Sequence, residues 1–404
     1  MLSKKKILFL MPYLGCGGVE STLFSLLDAM DRSRFEITLL LVEKKGEFLS
    51  KIPADINVQE ISIPEKEQGI FFGKKQKLLQ YIKSGKLWKI PSFIAYNSKF
   101  SLSEDRTKNA EYFDKISKSI PPLNEEFDLA IDYFGYATFT TFYLAEKVNA
   151  KVKVSWLHSI FSRFKPQAFA KWYEKMDVIF SVSKMVGEDF ARLFPTVKTI
   201  KPFYNIIEPE KIRHLANQAG GFDDHFDGLR ILTVGRICHE KGMDLAVESF
   251  RRLLSLNYPI RWYLIGGGSD EELAKLETLL KTPKEKESFV FLGIQKNPYV
   301  YMRQCDIYVQ PSRFEGYCTT TNEARILGCP IVMTNVSGAE EQIKNGETGY
   351  IVAQDPSSIT QAVEKLILDP NCGENFKNNL LKLDFSTKNE LDKLYQLLNG
   401  GEKL

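Results

Sequence analysis

Residues 311–330 read Pro-Ser-Arg-Phe-Glu-Gly-Tyr-Cys-Thr-Thr-Thr-Asn-Glu-Ala-Arg-Ile-Leu-Gly-Cys-Pro, with Ile307-Tyr308-Val309 before them and Ile331-Val332-Met333 after. The two apolar triplets have the composition of buried strands, and Thr320 to Leu327 reads as a helix. A strand–loop–helix–strand unit of this kind belongs to α/β proteins, which hold ligands at the carboxyl ends of their strands. Glu315 sits in the loop beside Gly316, and Glu323 lies inside the helix with seven residues between them. Two carboxylates placed this way can both face a ligand rich in hydroxyls. The intervening amides, of Gly316, Tyr317, Cys318 and Thr319, lie at a helix N-terminus, where free N–H groups and the dipole favour negative charge. A solvated loop Glu and an ordinary helix Glu would show the same spacing, so the pair takes its meaning from its surroundings.

Working back from this stretch, the β/α pattern starts at Leu229-Arg-Ile-Leu-Thr-Val-Gly235-Arg236 and continues through Lys241-Gly242 into a helix. Arg236 ends a strand and Lys241 precedes a helix, so both can enter one cleft as a cationic clamp for a diphosphate. Arg261 to Ile265 is a strand that ends in Gly266-Gly-Gly before an acidic helix, and Val290 to Gly293 is another, followed by Ile294. Arg313 reads as a bystander in its loop. Beyond the quoted stretch, Gly338 to Val352 closes the sheet and residues 356–402 read as helices.

The amino-terminal half repeats the pattern. Ile7 to Met11 is an apolar run that stops at Pro12, too short for a signal peptide and suited to a first buried strand. Tyr13-Leu-Gly-Cys-Gly-Gly-Val-Glu-Ser follows as a glycine loop, in which Gly17 and Gly18 open a helix. It is neither Gly-x-Gly-x-x-Gly nor a P-loop, which excludes a nicotinamide site. Strands follow at 35–42, 58–63, 127–133, 153–158 and 178–183, the last being the final strand of this half; the 153–158 strand ends at His158. Residues 64–122 depart from the alternation. There Lys74, Lys75, Lys77, Lys83, Lys86 and Lys89 interleave with Phe71, Phe72, Leu78, Leu79, Ile82, Leu87 and Trp88. Two readings stand: a surface that lies on an anionic membrane, or a helical hairpin with solvated lysines and a buried apolar stripe. The polar stretch Ala216 to Gly228 is the best linker candidate.

These motifs together resemble the retaining family 4 glycosyltransferases. The resemblance rests on Glu315-x7-Glu323, on Gly235-Arg236 with Glu240-Lys241-Gly242, on Gly17-Gly18-Val-Glu, on Trp156-Leu-His158 and on Tyr204-Asn-Ile. It implies the GT-B fold: two doubly wound Rossmann-like α/β domains facing a cleft. The expected domains are 1–207 for the acceptor, carrying the insertion at 64–122, and 208–380 for the nucleotide sugar, with 381–404 crossing back to the first. It implies a metal-independent transfer of a sugar from a nucleotide-diphosphate sugar, UDP by family frequency, to a glycan or lipid-linked acceptor in bacterial surface-polysaccharide assembly. Arg236 and Lys241 would hold the pyrophosphate, Glu315 the transferred sugar and Glu323 the ribose. His158 would contact the sugar or its developing charge, Gly17 and Gly18 the donor phosphate and acceptor, and Gly293 with Ile294 the base. Gly235, Gly316, Tyr317, Cys318 and Thr319 complete the donor site. Asn322 and Tyr317-Cys318 depart from the family's usual apolar and Phe-Gly choices, without removing a charged group. A non-catalytic partner subunit, or a sugar-nucleotide epimerase or phosphorylase of similar shape, is the alternative.

Bulk properties agree with this. The 404 residues suit two domains, and 44% hydrophobic with 26% charged residues lets both bury a core. A formal charge of +3 gives no reason to expect nucleic acid as a partner. The six cysteines show no Cys-x-x-Cys spacing, which argues against a zinc site and for reduced thiols in a cytoplasmic enzyme, with the inner membrane face as an alternative location.

Overall fold

The structure is a computed structural model that describes residues 4–15, 17–98, 102 and 106–399. Cys16 of the glycine loop, parts of the insertion (99–101 and 103–105) and residues 400–404 of the terminal segment lie outside the described residues. The chain forms two compact units, Met1–Ile206 with Asn389–Leu404, and Ile207–Lys388.

The first unit holds seven strands: β1 (Lys5–Met11), β2 (Phe35–Leu41), β3 (Asn57–Glu60), β4 (Glu126–Asp132), β5 (Asn149–Leu157), β6 (Val178–Ser181) and β7 (Ile200–Pro202). All pair in parallel, in the order β3-β2-β1-β4-β5-β6-β7. Ile7 through Met11 are fully buried, as expected of a strand covered by helices on both faces. The 178–183 strand is not the last of this unit. β7 adds three residues at the edge, and Lys201 and Pro202 within it give no strand periodicity to read. The helix Leu391–Leu398 also belongs here: Tyr395 stacks on Phe35 at 5.5 Å, and Lys393 donates to the Pro202 carbonyl at 2.7 Å.

The second unit holds β8 (Leu229–Val234), β9 (Ile260–Ile265), β10 (Phe289–Gly293), β11 (Ile307–Gln310), β12 (Ile331–Thr334) and β13 (Tyr350–Val352). They form one parallel sheet in the order β10-β9-β8-β11-β12-β13. In both units the strand order reverses at one place, between β1 and β4 and between β8 and β11. Doubly wound sheets open a crevice there.

Residues 216–228 are not the linker. The chain passes from one unit to the other at Ile206–Ile207, and the polar stretch packs onto the second unit. Phe222 lies against the Tyr263 ring at 4.4 Å, and Asp224 accepts from Arg230, Arg261 and Tyr263. Its polar composition suggested a linker; its partners lie on strands that local composition does not reveal.

Candidate functional site

The site is assembled from the loops that follow β8 and β11. Gly242 has φ +63°, and a Cβ on it would lie 2.0 Å from the Pro311 carbonyl oxygen, so only glycine lets the two loops lie this close. The N–H groups of Arg313 and Phe314 donate to the Glu240 carbonyl at 2.8 and 3.2 Å. Arg313 grips Asp244 through both terminal nitrogens, at 2.7 and 2.6 Å, and donates to the His239 carbonyl at 3.0 Å. Arg313 is therefore no bystander, because its fork fixes one loop to the other. Gly242→Ala is expected to lower Tm, since the strain and clash cost about 1–3 kcal/mol; an unchanged melting curve would show the loops free to separate.

Within this frame the Lys241 ammonium donates to Glu315 Oε1 at 2.6 Å across 74 residues of sequence. Ser312 Oγ donates to the same oxygen at 2.7 Å, and Gln310 Nε2 donates to Ser312 Oγ at 2.8 Å. The Tyr308 hydroxyl, at 2.7 Å, and Thr320 Oγ1, at 3.0 Å, hold Gln310 Oε1 in turn. Burial pulls the Lys241 pKa down, but the Glu315 carboxylate outweighs it, and the net shift is upward. Lys241 is thus a fixed cation. Arg236, exposed at the end of β8, makes no ion pair with a described residue, and its charge is felt at Lys241. The site thus presents one cation held by a carboxylate and one exposed beside it.

Glu323 sits one turn into the helix Thr319–Ile326 and accepts from the Tyr299 hydroxyl at 3.0 Å. Burial pushes its carboxyl up to about 7, with the Tyr299 bond opposing. Burial, followed by the Glu323 charge, also drives the Tyr299 hydroxyl well above its ordinary value, so it stays a donor. Cys318 precedes the helix and gives no side-chain cap, so Thr319 and Thr320 open it with amides no side chain caps. The Cys318 thiol is buried and raised to about 11, chiefly by that burial, so it is no nucleophile at neutral pH. Its N–H donates to Gln342 at 3.3 Å, and Gln342 donates back to the Cys318 carbonyl at 2.7 Å. The Gly316 carbonyl accepts from Ser337 at 3.4 Å. Tyr317 is half-buried. Asn322, the family departure, is buried and accepts from the Arg325 guanidinium, a packing role.

The Gly235 N–H donates to the Ile265 carbonyl at 2.9 Å, and Gly266 approaches so closely that a Cβ on it would fall 1.8 Å from the Gly235 oxygen. Gly293 turns at φ +64° and its carbonyl accepts from Gly266 at 2.9 Å, while Ile294 is 79% exposed.

Gly17, Gly18 and His158 belong to the first unit, the other candidates to the second. Gly17 precedes the helix Gly18–Ala29, and a Cβ on it would lie 2.5 Å from a Glu20 carboxylate oxygen; Gly18 faces open space. His158 is buried beyond β5 and donates from Nε2 to the Tyr133 carbonyl at 2.7 Å. The Tyr133 hydroxyl donates to Thr22 Oγ1 at 3.1 Å, which ties His158 to the helix behind the glycine loop. Burial lowers the His158 pKa to about 4, against the Tyr133 bond. His158 is neutral at physiological pH. The unfolded chain takes up this proton near the ordinary 6.5, the folded one only near 4, so stability falls as pH drops from 6.5 to 4. A His158→Gln variant is expected to lose part of that acid slope in Tm; an unchanged slope would place its origin elsewhere. A cavity of about 380 Å³ also opens at the ends of β1, β2 and β4, lined by Tyr13, Lys45, Phe71, Arg106, Phe113 and Phe134 among others.

Residues 226–382 match the family model for glycosyl transferases group 1. That stretch contains Arg236, Lys241, Glu315 and Glu323. The chain is 30% identical over 155 residues to the capsular polysaccharide biosynthesis glycosyltransferase CapM of Staphylococcus aureus. It is 31% identical over 211 residues to an N-acetylgalactosamine-N,N'-diacetylbacillosaminyl-diphospho-undecaprenol 4-alpha-N-acetylgalactosaminyltransferase of Campylobacter jejuni. The matches take in 38% and 51% of this chain and span 40% and 55% of those relatives, about half their length. Among solved structures, Anabaena HepE in complex with UDP and glucose superposes with a TM-score of 0.69 at 15% identity, over 98% of this chain and 100% of that one. Sucrose-phosphate synthase of Thermosynechococcus elongatus gives 0.67 at 15%, over 99% and 100%. The chain has the GT-B fold.

Sequence patterns did not reveal Tyr299, Ser312 or the Arg313–Asp244 fork. Tyr299 touches Glu323 only because the helix Tyr299–Gln304 packs beside the helix Thr319–Ile326. Neither segment carries a local signal of that contact.

Proposed function

We propose that this chain transfers a sugar from a nucleotide-diphosphate sugar to an acceptor hydroxyl, with retention at the anomeric carbon and no metal ion. The observation that carries this reading is the Lys241–Glu315 pair beside Arg236, where β8 and β11 part, with Glu323 one helical turn beyond. Arg236 and Lys241 hold the two phosphates. Glu315, fixed by Lys241 and Ser312, meets the hydroxyls of the transferred sugar, and Glu323 accepts from the ribose. The amides that open the helix at Thr319 face the same negative charge. As the anomeric carbon–phosphate bond breaks, the acceptor oxygen bonds on the same face and its proton passes to the leaving phosphate oxygen. The two cations stabilise the charge that develops there, usually the largest catalytic term.

UDP as the nucleotide is supported by the Anabaena structure of like fold, which contains UDP and glucose. The names of the Staphylococcus and Campylobacter relatives support a glycan or lipid-linked acceptor in surface-polysaccharide assembly. The first unit's cavity, with aromatic walls and the Arg106 and Lys45 cations, suits such an acceptor.

The test is a thermal-shift series on the purified chain in EDTA, with UDP, GDP, ADP and their sugar conjugates, since a ligand of the native state raises Tm. One nucleotide family is expected to raise Tm in the parent and not in Arg236→Ala. Transfer in EDTA to a hydroxyl acceptor, with the product's anomeric configuration read by NMR, should show retention. Inversion, or a strict metal requirement, would refute the mechanism. Binding without any transfer would favour a non-catalytic partner subunit.

A further inference from the structure

The insertion is a folded piece with two different sides. On its inner side the Glu67 carboxylate is fully buried and accepts from the Tyr96 hydroxyl at 2.7 and 2.9 Å and from Tyr112. Gly69 lies under the Phe93 ring, where a Cβ would come within 2.2 Å, and Tyr81 meets Phe93 edge-on at 5.4 Å. Lys77 turns inward and donates to Gln68 and Gln80 at 2.5 and 2.9 Å. Helices pack here as the hairpin reading expected, but on Lys77, Tyr81 and Phe93; of the interleaved apolar residues, Leu79, Ile82, Leu87 and Trp88 are exposed and form no buried stripe.

The outer side is unlike an ordinary solvated face. On the helix Lys74–Lys83, Lys77 and Tyr81 point to the core, while Lys75, Leu79, Ile82 and Lys83 share the opposite stripe at i, i+4, i+7 and i+8. Leu79 and Ile82 there are 47% and 55% exposed; Leu87, Trp88 and Ile94, on the neighbouring turn and helix, are 57%, 73% and 51% exposed. Residues 68–98 contain six lysines and no Asp or Glu. Lys89 is paired with Glu65 and Lys77 is turned in; Lys74, Lys75, Lys83 and Lys86 make no ion pair with a described residue. Among the described residues no helix is long and apolar enough to cross a membrane.

We propose that this face docks on an anionic lipid surface. Leu79, Ile82, Leu87, Trp88 and Ile94 enter the headgroup region, and Lys75, Lys83 and Lys86 meet lipid phosphates with their stems along the apolar boundary. A second copy of the chain is a poor occupant because the lysines would face each other. Nucleic acid would leave five large apolar side chains without a partner. The inference stands apart from the transfer reaction, because it reads binding alone.

The chain has four tryptophans, of which Trp156, Trp172 and Trp262 are buried, so Trp88 alone reports contact with lipid. The experiment is co-sedimentation of the full chain with phosphatidylglycerol–phosphatidylcholine vesicles and with phosphatidylcholine alone, paired with quenching of tryptophan emission by brominated acyl chains. Binding at least ten-fold tighter to the anionic vesicles, weakened by salt, with part of the emission quenched, is expected. Trp88→Phe should abolish the quenching and retain most binding. Ile82→Ser and Lys83→Glu/Lys86→Glu should each weaken binding about ten-fold or more at parental Tm, all substituted positions being exposed. No vesicle binding, equal binding to both compositions, or full affinity in Lys83→Glu/Lys86→Glu would overturn the proposal. So would binding without quenching.

Discussion

Lys241→Ala is expected to cut turnover about a hundred- to a thousand-fold, the usual cost of removing one group that stabilises developing charge. The ammonium is the fixed member of the cationic pair, held at 2.6 Å on Glu315 and kept charged by it. Alanine also leaves the Glu315 carboxylate, 9% exposed, with the Ser312 hydroxyl as its remaining charge-facing donor. Breaking a fully buried pair costs about 3–5 kcal/mol; partial exposure here brings that to about 1–3 kcal/mol, a fall in Tm of several degrees. The two effects separate in the double variant. Adding Glu315→Gln removes the stranded charge and should recover part of the lost Tm without recovering turnover. Near-parental turnover in folded Lys241→Ala would remove the residue from the chemistry. Equal Tm in the single and double variants would mean the pair contributes nothing to stability.

The second large effect belongs to Glu323. Its folded pKa near 7, against an ordinary 4.5, means that the native state holds a proton the unfolded state has lost between those values. Stability therefore falls as pH rises from 4.5 to 7 and is level above, and Glu323→Gln should flatten that descent and be at least as stable as the parent at pH 8. Binding has the opposite demand. A carboxylate that accepts from two ribose hydroxyls must be ionised, so UDP affinity in the parent should rise between pH 6 and 8. In Glu323→Gln that rise should shrink to what the nucleotide's own titration supplies. Affinity at pH 8 should drop about ten- to a hundred-fold, the value of hydrogen bonds to a charged group. Calorimetry at both pH values, on both proteins, reads this directly. Equal affinities at pH 8 would show that the nucleotide does not use Glu323, and the stability prediction would survive separately.

Much of this architecture follows from local pattern. The apolar runs at 7–11, 307–309 and 331–333 are buried strands because residues covered on both faces of a parallel sheet are mostly apolar. Glu315 falls in the loop after Gln310 and Glu323 one turn into the helix that begins at Thr319, since the step from one to the other crosses the loop–helix boundary. The glycine that precedes a helix at Gly242, with φ +63°, was equally legible, for few other residues suit such a turn.

Tertiary structure alone decided which of these pieces meet. The Lys241–Glu315 bond depends on β8 and β11 being neighbours, with Ile307 opposite Ile231 and Tyr308 opposite Leu232. Nothing within either segment encodes a partner 74 residues away. The same holds for the fork of Arg313 on Asp244, for Tyr299 on Glu323 and for the stretch at 216–228, whose composition suggested a linker and whose Asp224 is bound to strand residues. In the insertion, the run of lysines and aromatic residues fixed its chemistry, and only the fold sorted Lys77 and Tyr81 to the core and Ile82 and Trp88 to the surface. Periodicity acts between residues a few positions apart and is written in the chain; pairing of distant segments is set by how buried faces satisfy one another once the sheets have formed.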